Sequence, residues 1–162
     1  MLIVAVLLVL AAYVGYRVVS RFVRPAIGDT ITVYYCKLDG ETLVPWTVSL
    51  GPARDQRSVA FYTATQAVAG PPVDVQAIRF PSGTIVRNVD VADGTAGIDL
   101  SGNVAANGGG SFAESGEFKA LVWSVTAVPG IRAVSIRVDG RKLATLPGGH
   151  LELDEPLTRS SW

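Results

Sequence analysis

Polar and apolar residues alternate with period two on both sides of Asp93-Gly94. Val89 and Val91 alternate with Asn88 and Asp90, and Ala96, Ile98 and Leu100 alternate with Gly97 and Asp99. Successive side chains of a strand point to opposite faces, so the pattern predicts a β-hairpin over residues 85–100 with one apolar face to cover. An Asp-Gly pair suits the type I′ turn, whose two central residues both take positive φ. Val134, Ile136 and Val138, alternating with Ser135 and Arg137, predict a further half-buried strand; Asp139-Gly140 turns it toward a short one over residues 143–146. Residues 29–36, DTITVYYC, are β-branched and aromatic and predict a strand. Residues 43–50 predict its partner, placed at an edge or carrying a bulge because Pro45 has no amide to donate.

Two stretches carry helical spacing instead. Asp55 is placed to cap a helix over residues 56–69, with Phe61, Ala64 and Val68 on one stripe and Ala60 and Ala67 beside it. Gly70-Pro71-Pro72 stops that helix. Ser111-Phe112-Ala113-Glu114 has the pattern of a capping box and opens a helix to about residue 128, with Phe118, Leu121, Val122 and Val125 as its apolar stripe. The order β-β-α-β-β-α-β-β, dominated by hairpins, predicts an α+β fold: one mixed sheet with two helices packed on one face, rather than a doubly wound parallel sheet.

The N-terminus follows neither period. Residues 2–16 are almost wholly apolar, and Val18, Val19, Phe22 and Val23 extend the run past Arg17. With Arg17 and Arg21 snorkelling, this predicts one uncleaved transmembrane helix, in bilayer contact over residues 2–23. A cleaved signal peptide fits less well, for there is no charged segment before the run and no small-x-small site after it. The implied organisation is an anchor over residues 1–24, a linker over 25–28, a domain over 29–159 and a tail over 160–162. Arg17, Arg21 and Arg24 follow the apolar run, so the positive-inside rule favours a cytoplasmic domain. A start upstream of Met1, with a basic segment of its own, would reverse that preference.

Charge changes the picture in one respect. Formal net charge is zero, and the first 28 residues hold three arginines and no acid, so the remainder is mildly acidic. That argues against a nucleic-acid partner, which needs a basic surface. The single Cys36 permits no internal disulfide, and with the single His150 it permits no Cys/His metal cluster. Cys36 in a strand reads as a small buried hydrophobe. The glycine run 108–110 before a helix lacks the GK[ST] ending of a phosphate loop. Asp90, Asp93 and Asp99 read as a polar hairpin face without calcium-loop spacing. Glu152, Asp154 and Glu155 read as a solvated tail. No catalytic residue, cofactor site or metal site is assigned. An enzyme would need a pocket gathering Asp99, His150 or Glu117. Tyr34, Tyr35 and Trp46 are the candidate contact residues for a partner.

Several landmarks coincide in order: VYY with Leu43-Val44-Pro45, Ala69-Gly70-Pro71, Pro81-Ser82-Gly83-Thr84, Val91-Ala92-Asp93-Gly94-Thr95-Ala96 leading to Ile98-Asp99-Leu100-Ser101, Thr126-Ala127-Val128-Pro129-Gly130-Ile131, and VSIRVDG ending at Gly140. Together they resemble the GerMN domain, the sporulation and spore-germination domain of GerM-like proteins, over residues 29–159. The resemblance implies a fold related to the ring-building motifs of envelope assemblies. It implies an extracytoplasmic, membrane-held module that assembles with itself or a protein partner, in endospore formers around the channel-like complex between mother cell and forespore. It brings no catalytic residues. The domain also occurs in bacteria that do not sporulate, and GerM itself carries two such domains where this chain has one. A binder of cell-wall glycan or peptide, using exposed aromatics, is the alternative.

Overall fold

The computed structural model describes residues 9–10, 12–15, 27–72, 74–106, 110–147 and 149–162. The expected anchor lies mostly outside them. Residues 9–10 and 12–15 are helical, and among the described residues no helix is long and apolar enough to cross a membrane.

The domain runs β1 (Thr30–Cys36), β2 (Leu43–Ser49), α1 (Gln56–Ala69), β3 (Val86–Ala92), β4 (Thr95–Leu100), α2 (Gly110–Val125), β5 (Ala133–Val138) and β6 (Arg141–Lys142). Asp93 and Gly94, at φ 50° and 79°, form the expected turn between β3 and β4. Asp55 caps α1 by accepting from the Ser58 amide at 2.9 Å. Burial on α1 falls on Val59, Ala60, Thr63, Ala64, Ala67 and Val68. Phe61, expected on that stripe, is 40% exposed, because the small residues let the helix sit close and leave no room for a ring.

Two sheets replace the single one expected. β3, β4, β5 and β6 form a mixed sheet in that order, with β4 and β5 parallel across the α2 crossover. Val89, Ala96, Ile98, Leu100, Val134 and Ile136 line its covered face, each at most 1% exposed. The opposite face is charged. Gly97 has no side chain, so Arg137 on β5 reaches across it to Asp90 on β3 at 2.8 Å. β1 and β2 pair only with each other. The reason lies at β1's second edge, where a strand would otherwise dock: α2 occupies it, and Ser124 Oγ accepts the Tyr34 amide at 2.8 Å. Gly116 brings α2 in closely, for a β-carbon there would stand 2.5 Å from Ile78 and 3.3 Å from the Cys36 sulfur.

Two local expectations are corrected. The last strand is Arg141–Lys142, not residues 143–146. Asp139 and Gly140, both at positive φ, close a two-residue turn, so pairing starts at once; Leu146 turns into the core at 5% exposure. The capping box also fails to form as expected. Glu114 accepts the amides of His150 and Leu151, at 3.0 and 3.2 Å. The helix starts at Gly110 and continues to Val125, beyond which turns carry the chain to residue 131.

Candidate interaction surface

Register decides what β2 can offer. The amide of Leu50 donates to the Asp29 carbonyl at 2.9 Å, one step beyond the Thr30–Ser49 pair. Antiparallel pairs alternate between hydrogen-bonded and non-bonded. Val33–Trp46 is therefore a bonded pair, and Tyr34–Pro45 is not. The backbone of Pro45 faces outward along β2's free edge, at its centre, where it supplies no donor. A strand adding there would lose a ladder bond midway, which blunts the edge. Outward carbonyls on β3 are guarded differently. Arg57 on α1 donates to the Val89 carbonyl at 2.7 Å and to Asn88 Oδ1 at 2.9 Å. Along β5, Val134 exchanges both backbone bonds with Leu157 of the tail, at 2.7 and 2.8 Å.

The three candidate contact residues separate. Tyr35 faces the core at 3% exposure, its hydroxyl 3.4 Å from the Gln66 carbonyl, and burial pushes its pKa up. Tyr34 is half-buried beneath Arg159, whose guanidinium lies 6.0 Å from its ring. Trp46 is 41% exposed. It leaves the core-side face of the hairpin at the free edge, so packing against a neighbour covers only part of it.

Other apolar side chains stand out at positions without a periodic signal. At the hairpin tip, Asp39 Oδ1 accepts the amides of Glu41 and Thr42, at 2.9 and 2.8 Å. Hydrogen bonding by Thr42, through its side chain and amide, and then by Glu41 holds the Asp39 carboxyl at about 2. Gly40 has φ +73°, and a β-carbon on it would stand 2.5 Å from the Phe112 ring. Phe112 thus leans on the tip from the first turn of α2. It is 55% exposed, and Leu38 in the same tip is 60% exposed.

The tail fastens over the other end of the hairpin and α2. Trp162 donates to Ser115 Oγ at 2.9 Å and meets Trp123 edge-on with centroids 5.8 Å apart. Arg159 lies 5.8 Å from the Trp123 ring and donates to Thr126 Oγ1 at 2.9 Å. Lys119 is 5.9 Å from the same ring on another approach.

The residues that an enzyme would need are not gathered. Asp99 lies on the charged face of β4 beside Arg87 and accepts the Gly140 amide at 2.7 Å. Glu117 faces a cleft of about 50 Å³ with Glu114, and Asp99 is not among the residues that line it. Cys36 is fully buried, and burial pushes its thiol pKa up, which disfavours the reactive thiolate. Among the described residues no group of three or more His, Cys, Asp or Glu side chains is arranged to hold a metal. Glu114 and Glu117 carried a legible signal: each stands four residues before a member of the pair Phe118 and Leu121, so the buried stripe of α2 extends back through them.

Solved structures share this arrangement. The first GerMN domain of the sporulation protein GerM from Bacillus subtilis superposes with a TM-score of 0.64 at 24% identity, covering 81% of this chain and 98% of that one. The tandem GerMN domains of the same protein give 0.64 and 24%, covering 82% of this chain and 47% of theirs, so this chain spans about half the tandem's length. A putative lipoprotein from Clostridium perfringens gives 0.60 at 18% identity, covering 83% and 89%. At these identities the likeness is one of fold. No curated protein matches the sequence significantly. The family model described as Germane, sporulation and spore germination, matches residues 32–144, which span β1 to β6 and both helices, and the chain belongs to that family.

Proposed function

We propose that this protein is a non-catalytic, membrane-anchored module of the bacterial cell envelope that works in sporulation or germination by contact with a protein partner or a second copy of itself. The observation that supports this best is the hairpin tip, where Leu38 and Phe112 are more than half exposed around one turn. Exposed aromatic and aliphatic side chains in one place are the usual anchors of a protein contact. The guarded strand edges argue for side-chain docking over strand addition. The anchor joins the domain near Asp29, and β1 carries the chain about 20 Å from there to the tip. On this reading the tip meets its partner on the extracytoplasmic side, at a distance from the point where the anchor enters the domain.

The exposed Trp46 favours a second reading, a binder of wall glycan or peptide. Two experiments separate the readings. A tag placed after Trp162, with protease added to wall-permeabilised cells, reports the side of the membrane; digestion of the tag is expected. Crosslinking of the full chain is expected to give a discrete adduct that L38E/F112E abolishes. Retention on purified wall material, lost in W46A and unchanged in L38E/F112E, would favour the wall binder instead.

A further inference from the structure

Residues 149–153 form a strap across the flank of α2, fixed by Leu153 at its end, 1% exposed, and preceded in the chain by the buried Leu146, 5% exposed. Beneath it is the cleft of about 50 Å³, walled by Leu146, Pro147 and Gly149 on one side and Val104 on another, with Glu114 and Glu117 at its floor. The two carboxyls differ in their partners. Glu114 binds the strap through the amides of His150 and Leu151. Gly149 passes so close that a β-carbon on it would stand 2.6 Å from Glu114 Oε1. Glu117 is 4% exposed and has no hydrogen-bond or ion-pair partner among the described residues. It looks only into the cleft and at Glu114, one helical turn away.

The geometry points to a proton-operated latch: a proton on Glu117 lets the strap rest on Glu114, and loss of that proton to water places a second negative charge in the cleft and releases the strap from α2. Two buried carboxylates three residues apart on one helix repel when both are charged. The repulsion is relieved when one of them swings out to solvent, and the strap lies across the way out. Among the described residues no ion pair brings an opposing charge to Glu117. The 3-10 turn Gly102–Ala105 brings no titratable residue. Lys119 on α2 donates instead to the Glu41 carbonyl at 3.1 Å. The strap contributes His150, which reaches Glu114 through its backbone. Cys36, across from Gly116, is a buried thiol. Burial, and then the Glu114 charge, push Glu117 up to about 7, so the latch would work near neutral pH.

The test follows the Leu151 amide by NMR in the ¹⁵N-labelled full chain in detergent micelles, from pH 5.5 to 8.5. His150 is the chain neighbour of Leu151, so H150Q is the essential control. The latch gives a transition with a midpoint near 7 in both wild type and H150Q, and its loss in E117Q. Protection of the Leu151 amide, relative to its intrinsic exchange rate, drops at least tenfold across it. A transition that survives in E117Q or vanishes in H150Q overturns the proposal. Should E117Q misfold, the ¹³C carboxyl shift of Glu117 in the wild type reports its ionisation directly; flat Leu151 protection across that titration equally overturns the latch.

Discussion

The two sheets of this domain solve the same problem in different ways. In the four-stranded sheet, β4 is flanked by strands on both sides, one face is sealed by apolar contacts, and the other carries ion pairs such as Arg137–Asp90. In the β1–β2 hairpin, one edge is held by the Ser124 hydroxyl of α2 and by the Ile78 amide on the Cys36 carbonyl, and the other carries a proline near its centre. The larger sheet has its surfaces committed internally. The hairpin leaves large apolar side chains in solvent. Stability therefore depends on the buried face of the large sheet, and contact on the hairpin.

Damage to the large sheet is expected to have the largest effect. I98A removes a fully buried side chain at the centre of β4. It is expected to cost about 2–5 kcal/mol in denaturant unfolding, through lost burial and the cavity left behind. Next comes the acidic floor of α2. Glu117 has a folded pKa raised to about 7 from an ordinary 4.5. Between those values the folded state binds more protons than the unfolded one, so stability is greatest below pH 4.5 as far as this group is concerned and falls as pH rises through 7. The full fall is about 3 kcal/mol at about 1.4 kcal/mol per pKa unit. E117Q is expected to flatten that part of the stability-against-pH curve and to be the more stable protein at pH 8.

Smaller effects test the hairpin. S124V leaves the half-buried Tyr34 amide without its acceptor. It is expected to cost about 1–3 kcal/mol, and hydrogen exchange should show the loss concentrated in β1 rather than β4. W46A and L38E/F112E remove exposed groups and are expected to change unfolding free energy by no more than about 0.5 kcal/mol. Their effect should appear in association alone. A loss of stability as large as that of I98A would mean that the hairpin side chains belong to the core.

The sequence made the large sheet readable because its faces differ. Val89, Ile98 and Ile136 alternate with charged or small neighbours, and Asp-Gly pairs mark two of its turns. Helix α1 was equally readable from Asp55 to Gly70. The second sheet was not, because the cause is a hydroxyl: Ser124 reads as one polar residue in an apolar helix, and nothing local says that it will take a strand's place. The strap was missed for a related reason. The amides of His150 and Leu151 compete for the Glu114 carboxylate with the helix's own N-terminus, and the contest is settled by partners 36 and 37 residues away. Aromaticity marks Tyr34, Tyr35 and Trp46 alike, and strand parity puts Trp46, opposite Val33, on the same face as Tyr35; what separates them is position, Tyr35 on the inner strand and Trp46 at the free edge. Phe112 and Leu38 sit beside turn and cap signals, where an exposed apolar residue leaves no periodic trace.

The most direct test places a photo-crosslinking amino acid, one position at a time, at Leu38, Trp46 and Phe112 on the hairpin side, and at Asp90 and Arg141 on the charged sheet, in cells making the full chain. The account predicts discrete protein adducts from the hairpin positions, strongest at Leu38 and Phe112, and none from the charged sheet. Adducts confined to Asp90 or Arg141, or silence at every position while the protein is present and folded, would contradict it.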